Sequence, residues 1–371
     1  MKAFAKWIFF CIAAVIVFKI HKWFLPFINP VDGSDMRLPP LRGTVWLNSN
    51  PISPQALKGK VVLVDFWDYT CVNCLRTFPY LKGWYARYHK DGLVIIGVHT
   101  PEFDFAKKVQ NVEAAVHRFG LEYPIVLDND YNIWHAFHNE FWPHEFLFDA
   151  FGKLVHEHIG EGDYGRTELY IQESLRKIHP NEKFPKPLAA LTPEEMPGAV
   201  CYPTTPELYV GYSRGVLGNP EGYSPGKVVD YVDPKHYQDG EVYANGEWRD
   251  EPEDLRHART TKNLEDYIVI RYHALEVNAV IRPIGTKVFK VYVTQDGKPV
   301  PVSDKGADLH YDAHGESYIW VDQPRMYQIV YNQKFGSHVL KLASNSPDFA
   351  LYSYTFGGCT VPSNTKSLDK I

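Results

Sequence analysis

Val61-Val62-Leu63-Val64-Asp65-Phe66-Trp67, followed after three residues by Cys71-Val72-Asn73-Cys74, is the stretch on which the fold turns. The apolar run, broken by a single carboxylate, has the length and β-branched content of a strand covered on both faces. From Leu75 to His89 the apolar residues recur at helical spacing. The order is therefore strand, loop, helix, with two thiols where the helix begins. Unsatisfied amides and the positive end of the helix dipole favour the thiolate of the first cysteine there. Cys74, one turn deeper, is placed to resolve a mixed disulfide formed on Cys71. A reversible dithiol is the leading chemical reading. The same spacing serves as half of a zinc site, but Cys201 and Cys359 are isolated and supply no second pair.

Asp65 sits among Val61, Val62, Leu63, Val64 and Phe66. Burial there would raise its pKa and let it accept and return the Cys74 proton through water. The alternative is a solvated carboxylate at a strand end. Further along, Leu93 to Val98 reads as a second strand. Val109, Val112, Val116 and Phe119 read as a helix stopped by Gly120, and Pro124 to Leu127 as a short strand. Glu145 to Phe148 and Leu154 to His158 read as paired strands, and Thr167 to Ile178 as a closing helix. This is a small mixed α/β sheet covered by helices.

Several residues carry a resemblance. Val64-Asp65-Phe66-Trp67 with Cys71-x-x-Cys74, and Pro79 inside the following helix, resemble the active-site strand and helix of the thioredoxin superfamily. Trp46 to Ser49, Leu57 to Lys60 and Cys74 to Leu81 resemble its exported TlpA/ResA-like branch. Gly97 to Phe103 and Leu127 to Tyr131 are similar to the thioredoxin-like plus C-terminal portion of DipZ proteins. The resemblance implies a thioredoxin-like fold and thiol–disulfide oxidoreductase activity. It implies that Asp65 is the buried acid, that Glu102 tunes the thiols, and that Trp142-Pro143 is the cis-proline element beside the dithiol. Trp67, Thr70 and Trp142 are assigned to the substrate groove. Thr70, Val72 and Asn73 depart from the thioredoxin pattern where redox potential is set.

The rest of the chain divides by composition. Residues 1–28 hold Lys2 and Lys6, an apolar run from Trp7 to Phe18, then Lys19 and Lys22, with no small-x-small cleavage site. This reads as an uncleaved signal anchor, or otherwise a signal peptide. Residues 29–42 are expected as a tether, 43–180 as the thioredoxin-like domain, and 181–206, rich in proline, as a linker. Residues 207–360 alternate as short strands and are expected as an all-β sandwich or jelly roll, with 361–371 as a tail. Cys201 and Cys359 bracket that domain and would staple it in an oxidising compartment, or else stay free thiols.

A net charge of −5 spread without like-charge blocks excludes nucleic acid as an expected partner. No cofactor is expected. The chain reads as an exported thiol–disulfide oxidoreductase, held at the cytoplasmic membrane with its body in the periplasm or equivalent space. It would act on protein thiols and disulfides, more in the reductive direction, and draw electrons from a membrane donor protein. Two alternatives stay open. One is a copper metallochaperone using the dithiol with His135, His138 or His144. The other is a carbohydrate- or protein-binding module with a vestigial dithiol, whose platform would be Tyr209, Tyr212, Tyr223, Tyr231, Tyr237, Tyr243 and Trp248.

Overall fold

The computed structural model describes residues 36–285 and 287–361. The anchor expected at 1–28, the first part of the tether and the tail beyond 361 lie outside the described residues. Among the described residues no helix is long and apolar enough to cross a membrane.

Strand β2 (Val61–Trp67) is the centre of the first domain because every residue in it is buried. It runs parallel to β3 (Leu93–His99) and antiparallel to β5 (His144–Phe148). With β1 (Trp46–Leu47), β4 (Ile125–Leu127) and β6 (Leu154–Ile159) the six-stranded order is β1-β4-β3-β2-β5-β6. Strand alternation sends Val62, Val64 and Phe66 into one apolar layer with Ile133 and Trp134 of the short helix α3 (Asn132–Ala136) and with Phe137 that caps it. Val61, Leu63 and Trp67 face the opposite layer, under α1 (Val72–Tyr88) and α4 (Tyr164–Ile178). Asp65 has the parity of that second layer. Helix α1 buries Cys74, Phe78, Leu81, Trp84 and Tyr88 on a single stripe, and Pro79 lies within it. Helix α2 (Val109–Phe119) ends where Gly120 takes a φ of 61°, the left-handed cap that glycine adopts without a Cβ clash.

The second domain is all-β. Its strands are β7 (Val200–Cys201), β8 (Leu208–Tyr209), β9 (Val228–Tyr231), β10 (Val242–Asp250), β11 (Leu255–His257), β12 (Tyr267–Pro283) and β13 (Phe289–Gln295). They continue with β14 (Lys298–Pro299), β15 (Leu309–Tyr311), β16 (Ser317–Val321), β17 (Arg325–Ala343), β18 (Phe349–Gly357) and β19 (Cys359–Thr360). An all-β sandwich or jelly roll was expected; the domain is all-β, and its hydrogen bonding is continuous through one eleven-stranded sheet, with β7 and β19 forming a ribbon apart. The continuity comes from β12 and β17. Runs read as separate short strands, Tyr267 to Tyr272 and Val277 to Ile281, are one strand of 17 residues with register shifts against β17 near Ala274 and Val277. A bulge breaks the alternation without ending the strand, so sequence periodicity stops where pairing continues.

The proline-rich segment is not a free linker. Leu191 and Thr192 amides donate to the Tyr80 hydroxyl at 2.7 and 3.3 Å, and Leu188 donates to Glu168 at 2.7 Å, so the segment straps across α1 and α4. Residues 36–42 likewise pack: Met36, Leu38 and Leu41 join the α3-side core, and the Leu38 amide donates to Gly152. The domains share a core, since Val280, Ala350 and Tyr352 join the α1-side cluster. Phe103 and Phe105 meet the Tyr352 ring edge-on at 5.2 and 4.8 Å.

Cys201 and Cys359 are cross-strand partners on β7 and β19 and form a disulfide over a sequence separation of 158. Closing so long a loop contributes roughly 2–5 kcal/mol by restricting the unfolded chain. The double variant Cys201→Ser/Cys359→Ser is expected to lower the melting temperature of the second domain, read by calorimetry with and without reductant. The parent under reductant should fall to the variant's value, while the variant itself should not respond.

Candidate functional site

The loop between β2 and α1 is organised by Asp68. Its buried carboxylate accepts the Thr70 amide at 2.7 Å, the Thr70 hydroxyl, and the Glu102 amide at 3.1 Å. This draws Thr70 inward, and its relative exposure is 1%. His99 lies 3.4 Å from Asp68, is stacked by Tyr69 and met edge-on by Trp67. Burial drives its pKa down to about 3, so it is a neutral packing group. Trp67 is 0% exposed, wedged under α1 against Phe78. Neither Trp67 nor Thr70 lines a substrate groove, contrary to expectation. Strand parity turns Trp67 into the core, and the Asp68 carboxylate holds Thr70.

Cys71 is the N-cap of α1, and its sulfur accepts the Cys74 amide at 3.3 Å. Both thiols are free; Cys71 is partly exposed and Cys74 is buried. Burial, then the hydrogen bond and charge of Cys71, push the Cys74 thiol well up. Beneath it Asp65 is 1% exposed, Oδ1 has no hydrogen-bond partner, and burial lifts its pKa to about 8. Thus the two thiols are split into an accessible nucleophile at a helix N-terminus and a shielded thiol with an acid below.

A pocket of about 210 Å³ opens at Cys71, lined by Asn73, Glu102 and Trp142 from one domain and by Thr205, Glu207 and Phe356 from the other. Trp142 packs on Trp134 at 4.2 Å and donates its indole N–H to the Thr100 carbonyl at 3.1 Å. The Trp142-Pro143 peptide is cis. Glu102 accepts Tyr209 Oη at 2.7 Å and Arg214 at 3.1 Å, both from the β domain. Burial and the nearby Asp68 charge raise its pKa. Two residues past Cys74, Arg76 reaches Glu276 at 2.8 Å, Glu161 at 3.0 Å and Glu194 at 3.5 Å, pinning the dithiol helix to β12 and to the strap.

Sequence reasoning did not single out Asp68, Arg76 or this second wall. It also missed Glu145, the cross-strand partner of Asp65, buried with both carboxylate oxygens unpartnered. Its signal was a lone acid at an inward position of a strand otherwise reading Phe146-Leu147-Phe148. His135 and His138 do not converge with the thiols, and His144 bonds Asn139 at 2.6 Å and Glu157 at 2.9 Å. Among the described residues no group of three or more His, Cys, Asp or Glu could hold a metal ion. The aromatic platform is also corrected. Tyr231, Tyr243 and Trp248 are buried, and the Tyr223 and Tyr237 hydroxyls are spent on Val210 and Asp233.

A partly exposed thiol capping a helix, a buried thiol one turn on, and an acid under both on the central strand define the thioredoxin class of disulfide-exchanging proteins. Residues 34–170 match the Redoxin family model, and 205–357 match the Thioredoxin like C-terminal domain model. The thiol-disulfide oxidoreductase ResA of Bacillus thuringiensis is 32% identical over 134 residues, covering 36% of this chain and 72% of ResA. Protein DipZ of Mycobacterium bovis is 35% identical over 326 residues, 86% of this chain, so the chain spans only 42% of DipZ. The thioredoxin domain of a Bacteroides vulgatus thiol-disulfide oxidoreductase superposes with a TM-score of 0.32 at 28% identity, covering 37% of this chain and 97% of that one. The chain belongs to the thioredoxin-like thiol–disulfide oxidoreductases, in their ResA-like group, and is similar to DipZ over the 42% of that protein it spans.

Between about pH 4 and pH 8 the folded chain holds the Asp65 proton while the unfolded chain has released it, since its pKa rises from 3.8 to about 8 on folding. Stability therefore falls as pH rises through that window. Asp65→Asn is expected to raise the melting temperature at pH 8, with the gain vanishing as pH falls to about 4. Thermal melts across that range check it.

Proposed function

We propose that the chain is an exported, membrane-held reductase of protein disulfides. The observation that carries this reading is the partly exposed Cys71 sulfur at the α1 N-terminus, opening into a pocket while Cys74 lies buried behind it. The Cys71 thiolate attacks one sulfur of a substrate disulfide; that S–S bond breaks as the Cys71–substrate bond forms, and the other substrate sulfur leaves as a thiolate that takes a proton from water. Cys74 then gives its proton to Asp65, which passes its own on in the same step, and attacks the Cys71 sulfur. A Cys71–Cys74 bond forms, and the substrate sulfur leaves as a thiolate that takes a proton from water. Two electrons pass from the dithiol to the substrate, and a membrane electron-donor protein restores the dithiol.

The pocket is smaller than the roughly 300–1,000 Å³ of sites that enclose a drug-sized ligand. It suits one or two side chains flanking a cysteine in a polypeptide. The reductive direction rests on the resemblance to the TlpA/ResA branch. Export and envelope location are supported by the apolar run Trp7 to Phe18 and by the Cys201–Cys359 disulfide, a bond that persists in oxidising compartments.

Expression of the full chain carrying Cys74→Ser is expected to accumulate reductant-sensitive conjugates on Cys71, and adding Cys71→Ser should remove them. Absence of any conjugate would overturn the exchange reading. In the same cells, recovery of the chain in a soluble cytoplasmic fraction would overturn the envelope assignment.

A further inference from the structure

Cys74 and Asp65 are both sealed from solvent, yet each disulfide cycle must move a proton off Cys74 and back. The β domain covers the outer side of the dithiol, and β2 is buried along its whole length. The register of the sheet indicates a way out. Asp65 on β2 is the direct cross-strand partner of Glu145 on β5, and Glu145 is the direct partner of His158 on β6. Direct antiparallel partners project from the same face with Cβ atoms about 4.5–5.5 Å apart. An acid, an acid and an imidazole thus stand in a row beneath α1 and α4, running from the dithiol to the edge of the sheet.

All three are short of partners. Asp65 Oδ1, both Glu145 oxygens and His158 Nε2 are buried with no hydrogen bond, as is the neighbouring Tyr123 hydroxyl. Orphaned buried polar atoms are rare, and a row of them marks a place for shared protons and bridging water. At the far end His158 joins His156, Asp163, Arg166 and Tyr170 in lining a cavity of about 640 Å³ between β6 and α4. On the other side of Asp65 the strand partner is Gly97, where a Cβ would come within 2.9 Å of the Trp67 indole nitrogen, so the row cannot continue that way.

We propose that Glu145 and His158 are proton-relay residues that carry the Cys74 proton from Asp65 across the sheet to solvent. This rests on the disulfide-exchange reading and adds a route to it. As the Cys74 sulfur attacks Cys71, its proton passes to Asp65 while the Asp65 proton moves to Glu145 and the Glu145 proton moves to neutral His158, which releases it into the groove. The reverse sequence returns it on reduction. Burial, then the Asp65 charge, raise Glu145 well above the carboxylate range, and burial lowers His158. The groups facing the row are Cys74 from α1, Tyr164 and Thr167 from α4, and Tyr123 from the loop before β4. Around His158 they are His144, His156, Glu161, Asp163 and Glu195. Glu145 and His158 touch no reacting sulfur and act through Asp65.

The reduced full chain mixed with dithiobis-nitrobenzoate releases one chromophore as Cys71 attacks and a second as Cys74 resolves the adduct. Glu145→Gln and His158→Phe are each expected to slow the second release on the order of tenfold at pH 7 and to displace its pH inflection. The first release should keep the parent rate. Added imidazole should restore His158→Phe, which a merely structural defect would not show. Glu145 is buried whereas His158 borders a groove, so the second variant keeps the test valid if the first fails to fold. Parent-like second-phase rates and pH profiles in His158→Phe or in folded Glu145→Gln would overturn the route. Absence of both releases in the parent chain would instead overturn the exchange reading itself.

Discussion

A carboxylate on the central strand of a sheet, covered on both faces, must stay protonated, gain a counter-charge or cost several kcal/mol. Among the described residues Asp65 has no cationic partner, and its strand partner Glu145 is a second acid in the same position. A well-packed apolar pair would be cheaper there. What the arrangement provides is an acid that can exchange protons directly under the one thiol that must ionise out of reach of solvent. The other features near the dithiol are arranged around that constraint. Helix α1 sets Cys71 at its open end and Cys74 inside, and Asp68 ties the loop so that the helix starts where Asp65 lies below.

The second domain is part of the site. Its aromatic Tyr352 completes the core under Phe103 and Phe105, Arg214 and Tyr209 hold Glu102, and Glu276 takes one branch of the Arg76 ion-pair network. Two β-domain segments, at Thr204 to Glu207 and at Thr355 to Phe356, face Cys71, and the Cys201–Cys359 disulfide joins the chain just outside both. Access to the nucleophile is therefore a property of the two domains together. A thioredoxin-like domain standing alone would present Cys71 on an open surface.

The strand, loop and helix around the dithiol were legible because local signals agreed there: buried-strand composition, then a thiol pair, then helical periodicity. Asp65, Cys71 and Cys74 could be named from that stretch alone. Trp67 and Thr70 were misplaced, because which way a strand-end ring or a loop hydroxyl turns depends on strand parity against a packed helix and on a neighbouring carboxylate. The long strand β12 divides into two shorter periodic runs for a related reason, since bulges interrupt periodicity without interrupting pairing. Glu145 and His158 were invisible as a set because their relation to Asp65 exists only through register across three strands.

By itself the sequence determined the class of fold, the dithiol, its buried acid and the β-rich character of the second half. Each of these follows from composition and spacing within a few residues, where local propensity and burial point the same way. Tertiary structure alone decided which groups meet across the sheet, which aromatic rings are core, and that the second domain walls the pocket at Cys71. Those outcomes depend on pairing register and domain docking between residues far apart in the chain, 200 positions in the case of Arg76 and Glu276. No local pattern encodes a contact of that range, because its free energy is gained only once both domains are folded.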